Sequence, residues 1–296
     1  MDLNKMSTEQ RNENTRDLDV LSIYDALQIM NEEDQKVSQA VKKVIPQIEK
    51  AVKVVIESFD SGGRLIYVGA GTSGRLGVLD AVECPPTFGT PPEMVIGLIA
   101  GGDGAFIKAV EGAEDSTVMG INDLKNIGLK PKDVVIGIAA SGRTPYVIAA
   151  LNFSKEIGSK TIGISCNENS EVGAASDIPI EIIVGPEVLT GSTRLKAGTA
   201  QKMVLNMIST ISMVGIGKVY KNLMVDVQPT NKKLEIRSEN IIMAATDVNR
   251  ETARKALEES GKNVKLAITM ILLNCDIEEA KERLALANGH IRRVLV

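Results

Sequence analysis

The sequence predicts an α/β fold: a five-stranded parallel sheet, doubly wound with helices on both faces, followed by a small C-terminal helical subdomain. Three observations predict it. Through the centre of the chain, short aliphatic runs alternate with helical stretches, the pattern of parallel strands buried on both faces by crossover helices. Two of those runs end in segments of glycines and hydroxyls, Gly69 to Arg75 and Ala140 to Pro145. Open parallel sheets place their ligands beyond such strand ends. After residues 223–233 the pattern changes to short amphipathic helices.

Taken in order, residues 1–18 are polar and expected to be mobile, or ordered only by packing on a neighbour. From Val20 to Phe59 the period is helical, with Leu21, Ile23, Leu27 and Met30 recurring at three and four. A second helix is expected to start near Asn31-Glu32-Glu33-Asp34, acidic as a first turn should be. It would carry Val37, Val41, Val44, Ile48, Val52 and Val55, with Pro46 kinking or dividing it. Strands are expected at Arg64–Val68, Met94–Ala100, Asp133–Ala139, Lys160–Ser165 and Ile178–Val184, and helices near 74–82, 104–110, 115–126, 145–157 and 193–220. Residues 223–233, with Asp226, Pro229, Asn231 and two lysines, read as a boundary. Beyond it Gly261 and Gly289 read as helix stops. The expected domains are an N-terminal helical segment (1–60), an α/β domain (61–225, core plus the long helix 193–220) and a C-terminal helical subdomain (234–296).

Composition narrows the function classes. Hydrophobic residues are 44% and charged residues 24%, ordinary for a globular protein. Aromatics are only 3%, with no Trp, so the core is aliphatic and stacking platforms for single-stranded nucleic acid are not expected. A net charge of −4 argues against a general polyanion partner, yet leaves room for one small anion held by a local nest of donors. Cys84, Cys166 and Cys275 are far apart and form no C-x-x-C pair, which fits a reduced, cytoplasmic setting. His290 is the single histidine. A His-rich zinc site and a Ser-His-Asp triad are therefore not expected, and acid–base work falls on carboxylates, Lys or Tyr. No signal peptide is expected at the polar N-terminus. Met203 to Ile216 is too short to span a bilayer and carries Asn206, Ser209, Thr210 and Ser212; it reads as a buried helix.

The Gly69-Ala70-Gly71-Thr72-Ser73-Gly74-Arg75 segment suits an anion. Glycines let backbone N–H groups approach a phosphate, and the following helix contributes free donors and a positive dipole end. Thr72 and Ser73 add hydroxyls. Gly69, Gly71 and Gly74 also satisfy G-x-G-x-x-G, so the loop alone leaves open a dinucleotide or a phosphate ester. The acidic ribose ligand of a dinucleotide site has only Asp103 as an ill-placed candidate. At the second strand end, Ser141-Gly142-Arg143-Thr144-Pro145 repeats the small–hydroxyl–glycine pattern, with Pro145 suited to a first helical turn. The plainer readings are a strand–helix turn at Gly69–Gly74, helix caps at Ser141, Thr144 and Thr190–Arg194, and a first-turn surface position for Lys196. His290 reads as a helix-end residue, Met203, Met207 and Met213 as core, and Cys84 as packing.

The stretch from Gly69 to Phe88, GAGTSGRLGVLDAVECPPTF, resembles the signature of N-acetylmuramic acid 6-phosphate etherases. Thr8-Glu-Gln-Arg-Asn12, Asn31 to Asp34, Ala139 to Tyr146 and Gly191 to Thr199 are similar to the same family. The family belongs to the sugar isomerase (SIS) superfamily, with glucokinase regulatory protein, which has two such domains. The resemblance implies an SIS-type phosphosugar-binding sheet domain and cleavage of the lactyl ether of N-acetylmuramic acid 6-phosphate to N-acetylglucosamine 6-phosphate and D-lactate. It implies bacterial cell-wall amino-sugar recycling, a homodimer, and no metal or nucleotide cofactor. The substrate-binding set it suggests is Gly71, Thr72, Ser73, Ser141, Gly142, Arg143, Thr144, Ser192 and Lys196. It also makes Glu83 the acid at the departing lactate oxygen and Glu114 the base at C2, with Glu111 and Asp115 close enough in sequence to be confused with Glu114.

The chemistry suits two carboxyl groups. An unactivated ether resists hydrolysis, but in the open-chain aldehyde C2–H lies α to a carbonyl and the C3 ether is a β leaving group. One base and one acid suffice, each contributing about 10²–10⁴-fold, and two carboxyl groups in different environments divide the roles. A phosphosugar-sensing regulator would use the same hydroxyl loops without needing Glu83 or Glu114. A phosphosugar isomerase would move the C2 proton but needs no acid at a C3 ether oxygen.

Overall fold

The computed structural model describes residues 6–108, 110–227 and 231–296. Ser22 opens helix α1 (Ile23–Lys43) by accepting the Asp25 N–H. Helix α2 (Ile45–Asp60) follows with Pro46 in its first turn, where the missing N–H has no partner to lose. Pro46 therefore divides the helical region, and Asn31 to Asp34 lies inside α1 instead of opening a second helix. The reason is tertiary: Glu33 is buried and paired far away in sequence. The N-terminal residues 6–18 are ordered on their own chain. Thr8 N–H reaches Asn167 Oδ1 at 3.3 Å, Asn12 Nδ2 reaches the Pro186 carbonyl at 3.2 Å, and Thr15 Oγ1 reaches the Val188 carbonyl at 2.9 Å. Residues 1–5 of the stretch expected to be mobile, residue 109 of the expected 104–110 helix and residues 228–230 of the expected boundary lie outside the described residues.

The sheet is built from β1 (Leu65–Gly69), β2 (Val95–Ile99), β3 (Val134–Ile138), β4 (Lys160–Ser165) and β5 (Ile178–Glu181). All five are parallel, in the order β2-β1-β3-β4-β5. Every position of β1 and β3 is buried, which is why these strands are continuous aliphatic runs. The crossovers carry α3 (Gly71–Phe88), α4 (Gly104–Ile107), α5 (Thr117–Asn126), α6 (Pro145–Ile157), α7 (Glu171–Ala174) and then α8 (Lys196–Gly215). One core layer joins Ile66, Val68 and Val135 to Leu124, Tyr146 and Leu151.

Two further helices depart from expectation. α3 starts at Gly71, so Gly71, Thr72 and Ser73 are its first turn, and it continues through Pro85 and Pro86 to Phe88. Proline's fixed φ is itself helical and its cost is a lost hydrogen bond; the turn comes only at Gly89, with φ +60°. α8 starts later than expected, where both Glu187 carboxylate oxygens accept the Lys196 and Ala197 N–H groups at 2.9 Å.

The chain divides into two compact units, one running up to Val82 and resuming over Glu93–Ser209, the other formed by Glu83–Pro92 and Thr210–Val296. The second holds a short hairpin, β6 (Val219–Tyr220) with β7 (Leu223–Met224), that the sequence pattern does not reveal. It then holds α9 (Lys232–Thr246), α10 (Arg250–Glu259), α11 (Val264–Leu273), α12 (Ile277–Leu286) and α13 (Ile291–Val294). Asn231, Asn249, Asn263 and Asp276 cap α9 to α12 through their side chains. Gly261 and Gly289 follow α10 and α12 with φ of +66° and +75°, the stops expected of them. Val225, Ile242, Ala253, Val264 and Ile268 form this unit's core.

Candidate active site

β1 and β3 lie side by side, with Gly69 opposite Ile138, while β2 flanks β1 on the other side. The winding direction thus reverses between β1 and β3. At such a reversal the loops leaving two adjacent strands splay apart and open a crevice beyond the strand ends. The two hydroxyl-rich segments are these loops.

The glycines of the first loop divide their work. A Cβ on Gly69 would sit 2.7 Å from the Gly74 nitrogen, and one on Gly74 would sit 2.6 Å from the Gly69 carbonyl oxygen. These two let the start of α3 press against β1. Gly71 takes φ +53° with open space around it, making the turn that aims the first helical N–H groups outward. Asp80 fixes the helix behind them. It accepts from Tyr67 Oη at 2.7 Å, Asn206 Nδ2 at 2.7 Å and Ser209 Oγ at 3.1 Å, tying α3 to β1 and α8.

The first turns of α3 and α8 meet. A Cβ on Gly198 would lie 3.5 Å from Thr72 Cγ2, and buried Ser73 donates its hydroxyl to Gln201 Oε1 at 2.9 Å. Lys196 is not the surface residue of the plainer reading. Its Nζ meets Glu33 Oε2 at 2.6 Å, both side chains being almost fully enclosed. Burial pushes the Glu33 pKa up, but hydrogen bonds from Lys196, Lys36 and Asn14 outweigh it and hold the carboxyl well below its ordinary value. Glu187 is the opposite case: burial raises its pKa, against the two backbone hydrogen bonds it accepts.

Ser141 and Arg143 share a cavity of about 480 Å³ with Ser7, Asn167 and Ser170. Asn167 Nδ2 donates to the Ala140 and Ser141 carbonyls at 3.2 and 3.3 Å, holding the loop. Gly142 adopts φ +73°, and a Cβ there would meet Ser170 Cβ at 2.4 Å, so only glycine fits. Thr144 is the N-cap of α6 but makes no side-chain cap bond, which leaves its hydroxyl uncommitted to the helix. Arg143 has a loose partner in Glu171, at 3.8 Å.

Glu114 lies in the turn after Gly112 and lines a second cavity of about 230 Å³ together with Gly71, Arg75 and Glu111. Arg75 closes one wall by donating to the Phe106 and Ala105 carbonyls, each at 2.8 Å. Glu83, exposed, lies on α3. Ser192 is half-buried in the turn before α8, its N–H bonded to the Leu189 carbonyl. The structure therefore groups Gly71 with Glu114, Ser141 with Arg143, and Thr72 and Ser73 with the first turns of α8. Among the described residues, no group of three or more His, Cys, Asp or Glu could hold a metal ion, and no helix is long and apolar enough to cross a membrane.

The sequence assigns no site role to Gln201, Glu187 or Asn167, and it meets Glu33 only within the acidic Asn31–Asp34 segment and Arg75 only as the end of the glycine loop. Each is a polar residue of ordinary composition whose part comes from partners distant in sequence. Arg75, directly after the glycine loop, and Glu33, within Asn31–Asp34, carried local signals, but neither signal names the partner each one meets.

The chain is 61% identical to the N-acetylmuramic acid 6-phosphate etherase of Geobacillus sp. (strain WCH70) over 293 residues, covering 99% of each chain. It is 64% identical to that of Listeria welshimeri serovar 6b over 293 residues, again 99% of each. The chain belongs to the N-acetylmuramic acid 6-phosphate etherase family. The family model for the glucokinase regulatory protein N-terminal SIS domain matches residues 47–155, and that for the SIS domain matches residues 120–211. A phosphoheptose isomerase from Francisella tularensis aligns with a TM-score of 0.51 at 17% identity, covering 64% of this chain and 100% of that one; this likeness shows the fold alone. The sheet is thus the five-stranded parallel sheet expected from the residues, and of the SIS type that the resemblance implied.

Proposed function

We infer that the chain cleaves the D-lactyl ether of N-acetylmuramic acid 6-phosphate to N-acetylglucosamine 6-phosphate and D-lactate, as a carbon–oxygen lyase. The observation that carries this is identity above 60% to etherases of that name over essentially the whole chain. The two phosphate-suited loops side by side at the sheet's reversal agree with it. A second function is favoured by no observation of the structure.

The 6-phosphate is assigned to the crevice between the loops after β1 and β3. Backbone N–H groups of Gly71, Thr72 and Ser73 at the start of an 18-residue helix form one half of the cradle, with the Thr72 and Ser73 hydroxyls. Ser141, Gly142, Arg143 and Thr144 form the other half, and Ser192 approaches from the turn before α8. Lys196, held by Glu33, acts from behind as a brace and not as a phosphate ligand. Glu114, beside Gly71 in the smaller cavity, is assigned the removal of the C2 proton from the open-chain sugar. Glu83 is assigned protonation of the lactate oxygen as it leaves C3, and then assistance to the water that adds at C3. The elimination breaks C3–O, and the addition restores the sugar hydroxyl with oxygen from water.

Three wider assignments follow from the same reading. The first turns of α1, with Ile23, Tyr24 and Leu27 60–83% exposed, suit pairing with a second copy of the chain. Cys84, Cys166 and Cys275, none of them in a disulfide, suit a reducing cytoplasm. The reaction suits the recycling of cell-wall amino sugars. Turnover in water enriched in oxygen-18 tests the chemistry: label is expected in the sugar product, and label in lactate would overturn cleavage at C3–O.

A further inference from the structure

Gln201 is wholly buried on α8, and its Oε1 accepts the Ser73 hydroxyl at 2.9 Å while its Nε2 has no hydrogen-bond partner. Buried N–H donors are seldom left unpaired, and unpaired carbonyl oxygens are less rare. The arrangement also points the wrong way for the ligand assigned to this loop. A phosphate dianion only accepts hydrogen bonds, and Ser73 has already given its one proton to the amide. A half-turn of the near-isosteric amide resolves both problems. Nε2 then donates to Ser73 Oγ, Oε1 becomes the unpaired atom, and the Ser73 proton is free for a phosphate oxygen.

We propose that Gln201 is a positioning residue for phosphosugar binding, whose amide donates to Ser73 Oγ when the 6-phosphate is bound and so turns the Ser73 hydroxyl into a donor to it. The inference rests on the placement of the 6-phosphate at this loop. Two further contacts make the coupling specific. Thr72 packs at Gly198 one turn earlier on α8, and the first turn of α8 is fixed by Glu187 and by the Lys196–Glu33 pair. Gln201 is thereby presented from a rigid helix, with only its amide free to choose an orientation.

The test compares KM and kcat for N-acetylmuramic acid 6-phosphate in Ser73→Ala, Gln201→Met, Gln201→Glu and the doubles, with thermal melting as the fold control. Gln201→Glu keeps the acceptor and removes the donor, so at pH 8 it locks the Ser73 proton away from phosphate. Its KM is expected to rise about 10–100-fold, the scale of a hydrogen bond to a charged group, with kcat little changed. Gln201→Met, which leaves Ser73 free to rotate, is expected to raise KM several-fold less. In a Ser73→Ala background the difference between Gln201→Glu and Gln201→Met is expected to vanish. Equal KM values for the two Gln201 variants beside a raised KM for Ser73→Ala would overturn the role of Gln201 alone. An unchanged KM for Ser73→Ala would overturn the phosphate placement and the inference with it. If Gln201→Glu does not fold, the Ser73→Ala/Gln201→Met cycle decides, and effects on KM that simply multiply overturn the proposal.

Discussion

Lys196 Nζ and Glu33 Oε2, from residues 163 positions apart, meet at 2.6 Å with 1% and 3% of their side chains exposed. The pair bolts the middle of α1 to the first residue of α8, whose next turns meet Thr72 and Ser73. Two charges are removed from water here, so the pair's value lies in keeping both partners together. Lys196→Met leaves a buried carboxylate with only Lys36 and Asn14 as donors. It is expected to lose about 3 kcal/mol of unfolding free energy, measured by urea denaturation. Glu33→Leu combined with Lys196→Met is expected to recover part of that loss. The pH dependence has a definite sign. The folded Glu33 carboxyl is depressed to about 2 from an ordinary 4.5, so its contribution is complete above pH 4.5 and fades as pH falls towards 2. Glu187, raised in the fold by burial, works in the other direction: it favours the fold most when protonated, and that contribution is lost as pH rises through its folded pKa. Removing Glu33 should therefore flatten the acid limb of the stability curve; an unaltered limb in Glu33→Gln counts against the assignment.

The exposed α1 stripe gives a test of assembly. Ile23, Tyr24 and Leu27 lie at helical spacing on α1, the helix that carries Glu33, with 60–83% exposure, and Val20 just before it is exposed as well. Obligate dimers commonly bury about 2,000 Å² or more, with an apolar centre. Sedimentation is expected to give a dimer for the native chain, and Ile23→Glu with Leu27→Glu is expected to give monomer. A native chain that is fully active as a monomer at assay concentration would refute the assembly.

Much of the sheet was legible because buried parallel strands need nothing but continuous aliphatic runs. β4 falls on Lys160–Ser165 as read, and β1, β2 and β3 are one residue shorter at one or both ends or shifted by one. Errors came where a local cue is overridden by a distant partner, or where the cued residue also tolerates the other conformation. Asn31-Glu-Glu-Asp34 has the acidity of a first turn, yet α1 runs through it because Glu33 is buried against Lys196. Cys84-Pro85-Pro86 has the composition of a stop, yet α3 holds to Phe88. In the candidate site, the glycines and hydroxyls advertised the phosphate loops, and Gly69 and Gly74 proved to serve close packing while Gly71 makes the turn. Gln201 and Glu187 sent no such signal, since a glutamine or glutamate gains its meaning only from what the fold sets against it.

The division of labour between the two carboxylates can be read from isotope exchange. With Glu114 as the C2 base, Glu114→Gln is expected to lose both lactate release and exchange of the C2 proton with deuterated solvent, each by about 10²-fold or more. Glu83→Gln removes the acid at the lactate oxygen and leaves the base. Lactate release should fall by a similar factor, while C2 exchange persists if the carbanion forms before C3–O breaks. A concerted elimination would instead abolish both signals in both variants, which keeps the pair but not the order of steps. Glu114 shares its cavity with Glu111, so Glu111→Gln is the necessary companion and is expected to retain both signals. Retention of lactate release in both Glu83→Gln and Glu114→Gln would defeat the pair itself. The base would then be sought in Glu111 or Asp115, the two carboxylates of the same turn.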